Sequence, residues 1–143
     1  MFDLKSHKKQ GTLVGHEDFS FGTDFHPNGY TAVTANQDLT ARIWDLRTYK
    51  ETNKLLSSNN SMSSVKFLDN GKYLVAGENM SYLNVYSTAN YKLRTEIDYF
   101  GQLLGFDTLE DKGDKLYMGI TPFYGDVRGG IVEIDIGDKS SSK

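Results

Sequence analysis

His16, Glu17, Asp18 and Ser20 crowd into one short stretch, and they are the residue types of a nucleophile, a base and an orienting acid. Catalysis would need the Ser20 hydroxyl beside an imidazole whose other nitrogen is held by a carboxylate. A structural role competes for the same imidazole, which when buried needs a partner on each nitrogen. Glu17 and Asp18 then read as turn residues ahead of a strand, and no enzyme activity is expected. His7 lies in a polar connection. His26 precedes an Asn-Gly turn, where exposure is expected. No pair of histidines has zinc-ligand spacing and there is no cysteine, so neither a metal nor a disulfide is expected.

The stretch 122–130, Pro-Phe-Tyr-Gly-Asp-Val-Arg-Gly-Gly, is rich in glycine. It has no Gly-Lys-Ser/Thr and no helix pattern after it, so it is no phosphate cradle, and no cofactor is expected. Phe123, Tyr124 and Arg128 are residue types that anchor protein interfaces. The competing reading is a long hairpin whose aromatic side chains fold back on the sheet edge.

The elements that must carry these residues follow from a repeat. Phe25-His-Pro-Asn-Gly29 returns as Phe67-Leu-Asp-Asn-Gly71, an interval of 42 residues. Ala41-Arg-Ile-Trp44-Asp45 returns as Leu83-Asn-Val-Tyr86-Ser87 at the same interval. Met1-Phe2-Asp3 falls one period before Trp44-Asp45, and Ile134-Asp135 follows Tyr86 by 48, the excess matching the 121–130 insertion. Asn-Gly supplies the positive-φ residues of a tight hairpin turn. Strands are expected at 20–25, 31–35, 40–44 and 52–56, then 63–68, 73–76, 83–86 and 93–97, then 102–107, 115–119 and 130–134. A period of about 40–45 residues with four short strands per unit is the signature of a β-propeller.

The expected fold is all-β: a partial propeller of about three four-stranded antiparallel blades, with a ring this chain does not close alone. Its expected divisions are a strand remnant at 1–14, a blade at 15–57, degenerate blades at 58–99 and 100–136 (the latter without an outer strand), and a disordered Ser/Lys-rich tail at 137–143. The count points to a piece of a longer propeller.

Charge and hydropathy narrow the partners. The net charge of −3, with both signs interspersed, gives no basic footprint for nucleic acid or a membrane surface. No apolar run is long enough to cross a bilayer as a helix, and the N-terminus lacks the apolar core of a signal peptide. A cytoplasmic or nuclear location is expected.

Gly15-His16, Thr34, Asp38 and Trp44-Asp45 together resemble the WD-repeat family. The resemblance implies that His16, Thr34, Asp38 and Trp44 form the hydrogen-bonded tetrad that ties a blade together. Later units depart from that pattern. Tyr86-Ser87 replaces Trp-Asp, Met80 stands one period after Asp38, and no Gly-His precedes 64–67. A narrower likeness rests on His16-Glu-Asp-Phe-Ser-Phe, Ala35-Asn-Gln-Asp-Leu-Thr-Ala-Arg-Ile-Trp-Asp-Leu-Arg47, Glu96-Ile-Asp-Tyr-Phe-Gly101 and Phe123-Tyr-Gly125. These are similar to a group of fungal and plant WD-repeat proteins that includes a yeast substrate receptor of a GID-type ubiquitin ligase. Trp44-Asp45-Leu46-Arg47 also fits the WDxR pattern of receptors that dock on cullin-type ligase adaptors. Against it stands the reading of Arg47 as a solvated turn residue.

The expectation is a non-enzymatic protein-interaction scaffold, with substrate recognition in a ubiquitin ligase as its finer form. Its expected partners are ligase subunits, degradation substrates, missing blades or a second copy. The alternatives are a truncated propeller without independent function and an adaptor docking through Arg47.

Overall fold

In the computed structural model the described residues are 1–58, 60–109, 115–123 and 129–136. Every regular element among them is a strand. The strands are β1 (Ser20–Phe25), β2 (Thr31–Asn36), β3 (Thr40–Asp45), β4 (Lys50–Leu56), β5 (Met62–Leu68), β6 (Tyr73–Glu78), β7 (Met80–Ser87), β8 (Lys92–Asp107), β9 (Lys115–Pro122) and β10 (Gly130–Asp135). All pairings are antiparallel. The all-β class read from the repeat is the class the structure has.

The strands form where valine, isoleucine, threonine and aromatic residues cluster, and they end at Asn-Gly and Asp-rich turns. β1-β2-β3-β4 make one sheet, and β10-β9-β8-β7-β6-β5 make a second. Two clusters of apolar side chains hold them. In the first, Val33, Ala35, Ala41 and Ile43 of the first sheet meet Val65, Phe67, Leu74 and Ala76 of the second. The other cluster lies within the second sheet, where Val75, Leu83 and Val85 pack with Leu103, Leu116 and Met118. One face of a flat sheet cannot cover itself, so the six-stranded sheet must curl between β7 and β9.

β8 makes that curl. The sequence predicts separate strands at 93–97 and 102–107, and the structure has one strand of 16 residues running through both. Its first half pairs with β7 up to Asp98 and, past a register shift, Gln102 still faces Met80, while its second half pairs with β9 from Gly101. At the join the ladder shifts between Met80 and Tyr82, and Phe100 adopts φ 49°. A bulge keeps most of the hydrogen bonds while bending the strand, which is why the expected break became a bend. β8 therefore crosses the position where 58–99 was expected to give way to 100–136. Gly77 permits the close approach that results. A Cβ there would meet Leu103 and Phe106 from β8.

The two sheets are also tied by polar contacts. Asp24 Oδ2 accepts a hydrogen bond of 2.8 Å from the Phe67 amide. His26 was expected to be exposed; it is instead half-buried between the repeats. Its Nε2 donates to the Gly71 carbonyl at 3.0 Å, and its Nδ1 accepts from the Asn28 amide at 3.0 Å. The ring also meets Phe67 edge to face, with centroids 4.8 Å apart. That position became visible only once β5 and its turn were placed beside β1.

Replacing Gly77 tests the curl. Gly77→Val pushes Leu103 and Phe106 out of the second cluster. We expect it to destabilise the chain by about 1–3 kcal/mol, read as a lower urea midpoint. An unchanged midpoint would show that β6 and β8 are not in close contact.

Candidate functional site

β2 and β3 place Thr34 and Trp44 on the face of the first sheet opposite the shared core. The turn between these strands carries Asp38, and the connection before β1 carries His16. The structure brings all four side chains together. Trp44 Nε1 donates to Thr34 Oγ1 at 2.9 Å. Thr34 Oγ1 lies 2.6 Å from His16 Nε2, and His16 Nδ1 lies 2.9 Å from Asp38 Oδ2. An indole can only donate and an ionised carboxylate can only accept. With a neutral imidazole, that fixes the direction of every bond: Trp44 to Thr34, Thr34 to His16, His16 to Asp38. Bonds aligned head to tail polarise one another.

Asp38 anchors the chain. Its Oδ1 accepts from the Thr40 amide at 3.1 Å and from the Thr40 hydroxyl, and its Oδ2 also accepts from the Glu17 amide at 3.2 Å. Burial works against ionisation here. Hydrogen bonds from Thr40, His16 and the Glu17 amide, with attraction to the imidazole, outweigh it and lower the carboxyl to about 2. Arg42 lies behind, buried, with Nη1 2.8 Å from Glu51 and Nη2 3.5 Å from Asp38.

This arrangement leaves no catalytic geometry around Ser20. Both His16 nitrogens are occupied. The Ser20 hydroxyl accepts from Asn36 Nδ2 at 2.9 Å, and the same amide group donates to the Asp18 carbonyl at 2.6 Å. Among the described residues no cluster of three His, Asp or Glu side chains forms a metal site.

The interaction residues fall in different places. Arg47 lies in the turn that follows β3, with its side chain 64% exposed. Its Nε and Nη2 donate to the two Asp45 carboxylate oxygens at 3.0 and 2.6 Å, and its guanidinium lies 4.1 Å from the Tyr30 ring centre. The side-chain and backbone hydrogen bonds of Arg47 hold the Asp45 carboxyl at about 2. Arg47 is thus exposed yet oriented, with one face on an aromatic ring. Phe123 follows β9 and is 48% exposed. Tyr124 and Arg128 lie outside the described residues, as does the tail at 137–143.

Sequence reasoning missed two features. The second unit, which loses the Trp–Thr–His–Asp pattern, carries a different buried polar group. Glu78 accepts from Asn84 Nδ2 at 3.0 Å and from Asn60 Nδ2 at 3.2 Å, and the Tyr99 hydroxyl donates to the Glu78 carbonyl at 2.6 Å. Burial, then the nearby Glu78 and Asp98 charges, push the Tyr99 phenol upward. A Glu and an Asn inside otherwise apolar strand runs were the signal. The second feature is a groove of about 380 Å³ where β1, β5 and β8 come together, lined by Phe21, Ser61, Ser63, Ser64, Asn79 and Leu104. Phe21 is 58% exposed and Leu104 71%.

Residues 7–45 match the WD40 family, "WD domain, G-beta repeat". The matched span holds the whole chain of bonds from His16 to Trp44. A segment of 44 residues is 36% identical to "Lissencephaly-1 homolog 1" of Paramecium tetraurelia, covering 31% of this chain and 11% of that protein. A segment of 50 residues is 46% identical to "Histone acetyltransferase type B subunit 2" of Aspergillus fumigatus, covering 33% of this chain and 11% of that protein. The likeness thus spans about a tenth of each curated relative. The all-β, antiparallel architecture and this match over 7–45 are consistent with a partial WD40 propeller. WD-repeat domains are generally non-catalytic.

The carboxylate gives a pH-dependent test. Folded Asp38 titrates at about 2, against an ordinary value of 3.8. A lowered folded value stabilises the protein above the ordinary value, and that contribution is lost as pH falls from about 4 towards 2. Asp38→Asn should cost about 1–2 kcal/mol at neutral pH, after allowance for solvent screening. It should also flatten the loss of stability between about pH 4 and pH 2. Thermal melts across that range check both, and a parallel acid limb in wild type and variant would refute the assignment.

Proposed function

We propose that this chain is a non-enzymatic protein-interaction scaffold. The observation that carries the reading is how its side chains are used. The polar groups with chemical potential bond to one another, while large apolar groups face outward. His16, Thr34, Asp38 and Trp44 satisfy each other, and Ser20 is held by Asn36. Phe21, Phe100, Leu104 and Phe123 are exposed. Exposed apolar surface beside polar rims marks protein contact sites. A relative is by its printed name a subunit of a larger assembly, which supports a subunit role here.

The finer proposal is a substrate-recognition subunit of a ubiquitin ligase, working in the cytoplasm or nucleus. It rests on the resemblance carried by 16–21, 35–47, 96–101 and 123–125, and on Arg47. That guanidinium is held on Tyr30 and Asp45 in one orientation, as a docking residue would be. In this reading Arg47 meets a ligase adaptor, and the loop with Phe123, Tyr124 and Arg128 meets the protein to be degraded. A second reading is favoured by the exposed side chains of β1 and β8. In it, further blades or a second copy cover Phe21 and Leu104, and the chain alone has no separate role.

Affinity purification of the wild-type chain beside Arg47→Ala and Phe123→Ala tests these assignments. We expect ligase subunits to depend on Arg47 and other captured proteins to depend on Phe123, with all three chains melting alike. If wild type retains no ligase subunit, the ligase role is wrong. If both variants retain the same set as wild type, the two residues are wrongly chosen. A chain that melts without cooperativity and captures nothing would favour the second reading.

A further inference from the structure

We propose that Asn70 is a site of spontaneous deamidation and isoaspartate formation, and that Asn28 is protected from it. Both asparagines precede glycine, Asn28-Gly29 and Asn70-Gly71, in equivalent turns one period apart. Sequence therefore gives them the same susceptibility. Glycine favours the reaction because its amide nitrogen approaches the asparagine side chain without hindrance from a Cβ.

The two turns differ in how the side-chain amide is held. Asn28 Oδ1 accepts from the amides of Tyr30 and Thr31 at 3.0 Å each, and its Nδ2 donates to Thr31 Oγ1 at 2.9 Å. These three hydrogen bonds must break before the side-chain amide can turn onto the Gly29 nitrogen. Among the described residues no hydrogen bond holds the Asn70 side chain, which is exposed. The backbone differs as well. In the first turn only Gly29 has positive φ, 80°. In the second, Asp69, Asn70 and Gly71 follow one another at 48°, 52° and 86°. Two consecutive non-glycine residues in the left-handed region make that turn easier to open.

The chemistry balances with water alone. Hydroxide removes the proton from the Gly71 amide nitrogen, which attacks Asn70 Cγ. The Cγ–Nδ2 bond breaks, and ammonia leaves after taking a proton from water. One water then opens the cyclic imide. Attack at Cγ breaks the Cγ–N bond, restores the normal main chain and gives aspartate; attack at the main-chain carbonyl breaks its bond to the Gly71 nitrogen and gives isoaspartate. One water is consumed, one ammonia is released, and nothing is oxidised.

The position gives the reaction a consequence. Gly71 O accepts both His26 Nε2 at 3.0 Å and Thr88 Oγ1 at 2.6 Å. Isoaspartate adds a methylene to the main chain immediately before this node. The His26 bond between the two repeats is then lost, and a new carboxylate sits beside Asp69.

Incubation of the folded chain at mildly alkaline pH, followed by peptide mass spectrometry, tests the proposal with Asn28 as internal reference. We expect Asn70 to deamidate about tenfold faster than Asn28, the factor that about one net hydrogen bond of local protection provides. In denaturant the two rates should converge. Aged wild type should also melt below equally aged Asn70→Gln, which cannot form the imide readily. Equal rates in the folded chain would overturn the proposal, as would a folded-state ratio that persists unchanged in denaturant.

Discussion

A buried carboxylate that must be satisfied governs the first repeat. The Asp38 side chain is largely buried, and each of its lone pairs has a donor: Thr40, the Glu17 amide, His16 and, at longer range, Arg42. Losing one of these would expose the desolvation cost of the ion, which is larger than the net value of any single bond. Each donor therefore fixes a piece of chain. The Glu17 amide and His16 draw the connection before β1 onto the β2–β3 turn. Through His16 the constraint reaches Thr34 on β2, and through Thr34 it reaches Trp44 on β3. Three separate elements are aligned by one ion.

The second repeat solves the same problem with other residues. Its position equivalent to Thr34 is Ala76 and its position equivalent to Trp44 is Tyr86, so the relay cannot form. A buried Glu78 held by Asn60 and Asn84 stands near the equivalent place. The solution is less complete, because Asn84 Oδ1 has no partner among the described residues. Apolar packing does more there, with Val75, Leu83 and Val85 fully buried against Leu103, Leu116 and Met118. The repeat period thus preserves strand positions and the shared core, while the polar tie is free to change.

The scaffold reading follows from the same division of labour. Side chains that would be reactive in solution are committed to holding strands together, and their geometry is saturated. What the surface offers is oriented side chains and exposed apolar ones. Arg47 is held by Asp45 and Tyr30, and Phe21 and Leu104 border a groove where β1, β5 and β8 come together. These groups suit recognition of another protein.

The sequence by itself determined the strands, the 42-residue period and the identity of the first polar tie. Alternation of apolar residues and Asn-Gly turns are local signals, and local signals survive without coordinates; the tie of His16, Thr34, Asp38 and Trp44 was implied by the resemblance of those residues to the WD-repeat family. It also left one histidine and one strand break misread. His26 gains its partner from Gly71, 45 residues away, and strand propensity carries no information about which turn packs beside which. The break expected between 97 and 102 is instead a bend within β8, where Phe100 turns left-handed and the ladder resumes after a register shift. Only the tertiary structure decided that the second sheet curls over its own face, that Glu78 and Asn84 meet, and that Asn70 is left unheld while Asn28 is locked. Each depends on contacts between segments far apart in the chain, set by side-chain packing and by the need to pair every buried polar group.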